Sequence, residues 1–350
     1  MQLSEKEVQQ RLLQKIKLLL SPLEIKSVKQ EYPIKNQKNV DIVVKTIYKK
    51  KETTFLIEVK SIGEPRHIEQ AITQVKLLLK TIPNSYPVVA SSFLSETSRE
   101  ICKKLDVGYI DLFGNIYIDL PQIHIEKESN KTKEVEKKKQ KQLFSPVATR
   151  IIRSLLIQPE EKWTIQSLSE KSQVSLGYAH RIVEKLIEKK FLERNNDYKL
   201  ILVDKSRLLD IWRDNYTFKN NTIYSYYTFE KNKDTLFNKI KKASQYIKSS
   251  YALTLHSGAS FIAPYVRYTD VHLYIKSNMD QWVQVLDLRP VESGANIYLI
   301  KPYDQGVIQN LQTIKGNSIV SNIQLYLDLY HYPKRGKEQA EKIREEKIHF

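Results

Sequence analysis

The sequence predicts a multidomain chain in which an α/β domain is followed by a small helical domain and an α+β domain. Three observations carry that prediction. Residues 1–125 alternate helical and strand-like apolar patterns, and residues 144–204 carry helical periodicity that ends in a short hairpin. From residue 206 the chain turns to tyrosine-rich alternation and closes in a charged helix. Between the first two blocks, "EKESNKTKEVEKKKQKQL" (126–143) has almost no apolar residue and reads as a charged linker or frayed helix. The predicted domains are 1–125, 144–204 and 205–350, with no internal repeat.

In the first block the pattern predicts a helix over 5–20, strands near 24–29, 40–47 and 53–61, and a helix over 66–82. That second helix has Ile68, Ala71, Ile72, Val75, Leu78 and Leu79 on one stripe, and Pro65 suits its first position. A strand at 86–91, a helix at 95–105 and a hairpin in "VGYIDLFGNIYIDL" (107–120) complete the block.

In the stretch "FLIEVKSIGE" (55–64), Phe55, Ile57 and Val59 alternate with Glu58 and Lys60, so the two charges share one face. A hairpin turning at Lys50–Lys51 sets Asp41 opposite Lys60 and Val43 opposite Glu58. Directly opposed residues lie about 4.5–5.5 Å apart at Cβ, so Asp41, Glu58 and Lys60 converge at one sheet end. Two carboxylates at that separation suit a divalent cation such as Mg²⁺ or Mn²⁺. A lysine beside them orients water or stabilises charge on a phosphate. The alternative is a cross-strand ion pair of Asp41 with Lys60.

The order of elements and the Asp41…Glu58-Val59-Lys60 spacing resemble the PD-(D/E)XK nuclease fold over about residues 1–120. Some members of that fold place a glutamine of the next helix near the metal. Gln74 borders the apolar stripe, from which it can reach inward, whereas Gln70 points further out; an ordinary, partly exposed helix residue is the competing reading of Gln74. The proline that usually precedes the first acid is replaced in "NVD". An active site and an inert sheet both remain open.

The second block holds "VATRIIRSLLIQP" (147–159), an amphipathic helix stopped by Pro159, and "WTIQSLSEKSQV" (163–174), a short helix capped by Thr164. "SLGYAHRIVEKLIEKKF" (175–191) starts at the capping candidate Ser175, and "LERNNDYKLIL" (192–202) is a hairpin with Asn-Asn-Asp at its tip. This is the winged helix-turn-helix pattern. Ile182, Val183, Leu186 and Ile187 supply the buried stripe of the third helix. Its exposed first turns enter the major groove of double-stranded DNA in that pattern. Arg181 is the best base reader, Tyr178 and His180 are plausible contacts, and Lys185 suits phosphate. Winged helices also serve as dimer or protein-docking modules.

In the third block "TIYSYYTF" (222–229), "VHLYIKS" (271–277), "WVQVLDL" (282–288) and "NIYLI" (296–300) alternate as half-buried strands. "LHSGASF" (255–261) lacks phosphate-loop spacing. "GYIDLFGNIYI" (108–118), "SLGYAHRIVEKLIEKKFL" (175–192) and "VSNIQLYLDLYHYPKRGKEQAEKI" (320–343) together resemble the longer AbiEi-like proteins of type IV toxin–antitoxin systems. Gln324, Asp328, Pro333, Arg335 and Gly336, in that order, are the most specific part. The resemblance implies a repressor that binds repeats at its own promoter and counters a nucleotidyltransferase toxin without a stable complex; the sequence leaves the oligomeric state open, a homodimer among the options.

Composition agrees with a nucleic-acid partner. With 41% hydrophobic residues the chain builds real cores, and its formal charge of +17 favours polyanions. A generally lysine-rich proteome is the competing explanation. Cys102, the only cysteine, excludes an internal disulfide framework and reads as a buried small hydrophobe. The amphipathic N-terminus lacks a signal-peptide core, and no apolar run approaches the ~20 residues of a membrane span. The sequence therefore predicts a cytoplasmic protein without a membrane partner.

Overall fold

The strand alternation and helical stripes of the first block resolve into one sheet with helices on both faces. The computed structural model describes residues 3–33, 39–79, 81–82, 84–129, 134–135, 138 and 141–350. Its contacts divide the chain into two units, Met1–Gln140 with Glu184–Lys190, and Lys141–Val183 with Phe191–Phe350.

The first unit runs α1 (Glu5–Leu19), β1 (Glu24–Tyr32), β2 (Val40–Tyr48), β3 (Lys51–Lys60), α2 (Pro65–Leu78), β4 (Ser85–Ser91), α3 (Glu96–Lys104), β5 (Gly108–Asp111), β6 (Ile116–Leu120) and β7 (Ile123–Lys127). The strands pair in sequence order, β1 to β7. The hairpins are antiparallel, while β3, β4 and β5 run parallel because α2 and α3 carry the chain back between them. Alternation sends Ile42, Val44, Phe55, Ile57 and Val59 to the face covered by Val8, Leu12 and Ile16 of α1. Val43, Leu56 and Val89 meet Ile68, Ile72, Val75 and Cys102 of α2 and α3 on the other face. Burial pushes the Cys102 thiol up to about 12, so it packs as a hydrophobe.

Two expectations are corrected in this unit. The β2–β3 turn lies at Lys49–Lys50, not Lys50–Lys51. Both residues have positive φ (47° and 66°) and close a two-residue turn with Tyr48 opposite Lys51. The register thus moves by two positions, which leaves every side chain on the expected face. A charged linker starting at 126 is also cut back, since β7 runs to Lys127 on buried Ile123 and Ile125. Residues 130–133, 136–137 and 139–140 of that linker lie outside the described residues.

The second unit begins with α4 (Pro146–Ile157), α5 (Ile165–Ser172) and the start of α6 (Leu176–Glu188), followed by β8 (Leu192–Arg194) and β9 (Leu200–Leu202). Pro146 occupies the first turn of α4, and Thr164 caps α5 by accepting from the Ser167 N–H at 3.0 Å. Strands β8 and β9 form an antiparallel hairpin, and Trp163 bridges to Leu200 as a third short rung.

The rest of the unit comprises α7 (Lys205–Asn215), β10 (Thr222–Tyr227), α8 (Lys233–Ile247), β11 (Tyr251–Leu253), α9 (Leu255–Ile262), β12 (Val271–Ile275), α10 (Met279–Val285), β13 (Arg289–Pro290), β14 (Ile297–Lys301), β15 (Gln312–Ile314), β16 (Asn317–Ile319), α11 (Asn322–Tyr330) and α12 (Gly336–Ile343). Its seven strands order as β13-β10-β14-β12-β11-β16-β15. The expected strand at 282–288 is instead the end of α10 and the turn after it. Trp282 and Leu286, four residues apart, are buried while Val285 is 42% exposed, which is helical rather than strand spacing.

Candidate functional site

Strands β2 and β3 place three of the expected residues at one end of the first sheet, and α2 brings a fourth to them. Continuing the observed ladder beyond Ile42↔Ile57 sets Asp41 opposite Glu58, where Lys60 had been expected. Asp41 Oδ2 accepts the Val59 N–H at 2.7 Å, and Gln9 of α1 donates to the Asp41 carbonyl at 2.7 Å. The Glu58 side chain is 1% exposed and that of Lys60 11%. Lys60 Nζ donates to Glu58 Oε1 at 2.8 Å and to Gln74 Oε1 at 3.0 Å. Gln74 therefore reaches inward from α2, while Gln70 is exposed. The structure brings Glu58, Lys60 and Gln74 into one hydrogen-bonded cluster and sets Asp41 on the adjoining strand.

Three neighbours of this cluster were not singled out from the sequence. Gln9 holds the Asp41 backbone. Ser91 of β4 pairs in register with Lys60, and its buried hydroxyl has no hydrogen-bond partner. Asp111 at the end of β5 accepts from the Leu94, Phe113 and Asn115 N–H groups and from the Asn115 amide. Burial raises the Asp111 pKa against those bonds. The spacing of Asp111 and Asn115 around Gly114 (φ 96°) is a turn signature, so Asp111 serves the β5–β6 connection.

The donor set fits a hard divalent cation in kind. Asp41 and Glu58 offer carboxylate oxygens from opposed positions, and Mg²⁺ is commonly held by one or two carboxylates with water completing the shell. Among the described residues no group of three or more His, Cys, Asp and Glu is gathered to hold a metal ion.

The other four expected residues lie on α6. Ser175 accepts the Tyr178 N–H at 3.3 Å, starting the helix where expected. His180 and Arg181 are exposed and Tyr178 is half-buried, with the Arg181 guanidinium 4.9 Å from the Tyr178 ring centre. Ile182, Val183, Leu186 and Ile187 are buried. Lys185 is half-buried, three turns from the helix start. The hairpin tip after β8 is tied by Asn195 Oδ1, which accepts from the Asp197 and Lys199 N–H groups.

A buried polar network occupies the centre of the second unit. Asp328 of α11 is 1% exposed and accepts from Tyr216 (2.5 Å), Thr254 (2.5 Å), Gln324 (2.7 Å) and Tyr274 (3.1 Å). Gln324 Oε1 in turn accepts from Arg153 of α4 at 2.6 Å, and Arg153 lies 5.1 Å from the Trp212 ring. Beside it Arg150 and Asp304 form a two-pronged ion pair at 2.8 and 2.5 Å. These contacts join α4 to the α+β part within the second unit.

Comparison with known proteins bears on this unit. Residues 201–349 match the family model described as a transcriptional regulator, AbiEi antitoxin of a type IV toxin–antitoxin system. The match starts after the α6 helix and the carboxylate pair, so both lie outside it. No curated protein matches the chain. Among solved structures, a repair endonuclease from Pyrococcus abyssi aligns at 18% identity with a TM-score of 0.25, over 32% of this chain and 48% of that one. The aligned part thus spans about half the length of that endonuclease.

The AbiEi region titrates in a predictable direction. Burial outweighs four hydrogen bonds and pushes Asp328 up to about 6 from 3.8. A raised carboxyl pKa contributes stability that is fully present below 3.8 and is lost as pH rises through 6. The shift corresponds to about 3 kcal/mol. The unfolding free energy of the wild type, measured relative to Asp328→Asn by urea titration, should fall by that amount between pH 4 and pH 7. A pH-independent difference would show that Asp328 keeps its ordinary pKa.

Among the described residues no helix is long and apolar enough to cross a membrane.

Proposed function

We propose that the chain is a DNA-binding transcriptional regulator of the AbiEi antitoxin class, acting in the cytoplasm. Residues 144–204 are its winged helix-turn-helix, 205–350 its AbiEi domain, and 1–125 a PD-(D/E)XK-like domain. The observation that carries this reading is the exposed first half of α6, with Tyr178, His180 and Arg181 beside a two-stranded wing, in a chain whose AbiEi region matches a regulator family. Double-stranded DNA is the partner, bound by a homodimer, and a nucleotidyltransferase toxin is the functional counterpart.

Arg181 suits a guanine edge through its two-pronged guanidinium, and Lys185 suits a phosphate. Arg181→Ala should weaken binding to the upstream region of the chain's own operon by about 1–3 kcal/mol. Lys185→Ala should weaken binding to all sequences alike and flatten the salt dependence. Fluorescence anisotropy at several salt concentrations measures both. Unchanged affinity in both variants would remove α6 as the reading helix.

The second reading is a Mg²⁺- or Mn²⁺-dependent DNA endonuclease targeted by the same winged helix. It is favoured by the assembly of Asp41, Glu58, Lys60 and Gln74 at one sheet end. Asp41 and Glu58 would hold the cation, which supplies Lewis acidity to a phosphodiester when bound. Glu58 and Gln74 fix the Lys60 ammonium by two of its three donors. The third is left to orient water or to stabilise charge on a phosphate oxygen. Val59 fixes the Asp41 carboxylate by its N–H, so the acid is aimed before any substrate arrives.

A further inference from the structure

The AbiEi region contains a cavity of about 170 Å³ that neither the Asp328 network nor α6 uses. His256, Arg267, Tyr268, His272, Tyr332 and Lys334 form most of its wall. His256 opens α9 and is 5% exposed. Its Nε2 lies 3.0 Å from the Lys334 carbonyl oxygen, which can only accept, so Nε2 carries the proton. Burial lowers the His256 pKa and keeps the ring neutral. Nδ1 is then a bare acceptor, buried and without a hydrogen-bond partner. Any ligand group that meets it must donate an N–H or O–H.

The remaining walls are aromatic and cationic. His272, pushed down to about 4 by burial, stacks on Tyr298 at 4.5 Å and 3°, while Tyr332 stands edge-on to both histidines at 5.8 and 5.6 Å. Lys334 pairs with Asp270 at 2.5 Å and Arg267 is exposed, so two cations face one carboxylate. The loop carrying Lys334 has little choice of path. Lys334 and Arg335 both adopt left-handed φ (61° and 65°), and a Cβ on Gly336 would come within 2.3 Å of the Leu329 carbonyl oxygen. That path delivers the Lys334 carbonyl to His256.

A cavity of ~150 Å³ accommodates a benzene ring, so one planar base fits here. We propose that this cavity binds a nucleotide, with a base N–H on His256 Nδ1, the base among the Tyr268, His272 and Tyr332 rings, and the phosphate at Arg267 and Lys334. The ligand is a nucleoside monophosphate, free or as the unpaired nucleotide of a single strand. The site is independent of the Asp41–Glu58 end and of the DNA-facing helix.

Calorimetry on the full chain tests it with AMP, CMP, adenosine, inorganic phosphate and a single-stranded hexanucleotide. AMP or CMP should bind with a Kd below ~1 mM, and adenosine and phosphate each about tenfold more weakly. Arg267→Ala, at an exposed position, should cost about tenfold while keeping the wild-type melting profile, and His256→Phe should cost about tenfold in affinity. A hexanucleotide that binds more tightly than AMP, unaffected by Arg181→Ala but weakened by Arg267→Ala, identifies a strand as the source. Equal affinities identify the free nucleotide. The proposal is overturned if neither mononucleotides nor the hexanucleotide saturate the protein. It is also overturned if phosphate alone binds as well as AMP, or if binding ignores Arg267→Ala.

Discussion

On the endonuclease reading, replacing Asp41 or Glu58 with alanine should reduce Mg²⁺- or Mn²⁺-dependent plasmid cleavage to background without changing the affinity for DNA. The reason is that these two acids are the expected ligands, set opposite each other on β2 and β3, so losing either leaves one of the pair for the cation. Glu58 is fully buried beside Lys60, and Glu58→Gln therefore accompanies the alanine variant as a change that keeps the shape and a hydrogen-bond acceptor for the lysine. Lys60→Ala should keep cation binding by calorimetry and lose cleavage, because its ammonium acts on water or phosphate rather than on the ion. An inert cluster behaves otherwise: the wild type binds no cation and cuts nothing. Cleavage that survives both carboxylate changes would belong to another site or a contaminant.

Asp328→Ala should destabilise the second unit by roughly 3–5 kcal/mol, the cost of stranding several buried donors at about 1–3 kcal/mol each with partial relaxation. Tyr216, Thr254, Tyr274 and Gln324 all lose their acceptor at once. Chemical denaturation followed by Trp212 and Trp282 fluorescence reads the loss, since both indoles are buried in this unit. A change below about 1 kcal/mol would mean that the donors find other acceptors and that the network is dispensable.

Much of the first unit was legible because its signals are local. Alternation in 40–48 and 51–60 specifies two strands, and parity alone puts Asp41, Glu58 and Lys60 on one face. The register was not legible, because "YKKKE" allows a turn at either lysine pair, and only the positive φ of Lys49 and Lys50 decides between them. Helical periodicity sets Gln74 at the border of the stripe of Ile68, Ile72 and Val75, and its hydrogen bond with Lys60 is not legible from that periodicity. Strand β7 escaped because the charges of 126–129 mask the alternation of Ile123 and Ile125. The stretch 282–288 misled because short apolar runs fit both periods, and the buried Trp282 chose the helix. Gln324 and Asp328 stood out as a pattern, but their partners Arg153, Tyr216 and Thr254 are far away in sequence. No local signal joins them.

The order of the strands in the two sheets has a kinetic corollary. In the first sheet every strand lies beside its predecessor in the chain, so each pairing closes a short loop at small entropic cost and the sheet grows in the direction of synthesis. In the second sheet β10 pairs only with the later strands β13 and β14, and β11, which pairs at once with β12, must wait for β16 as its second neighbour. A ribosome-bound chain can therefore complete the first sheet while the second still lacks pairings that its last strands supply.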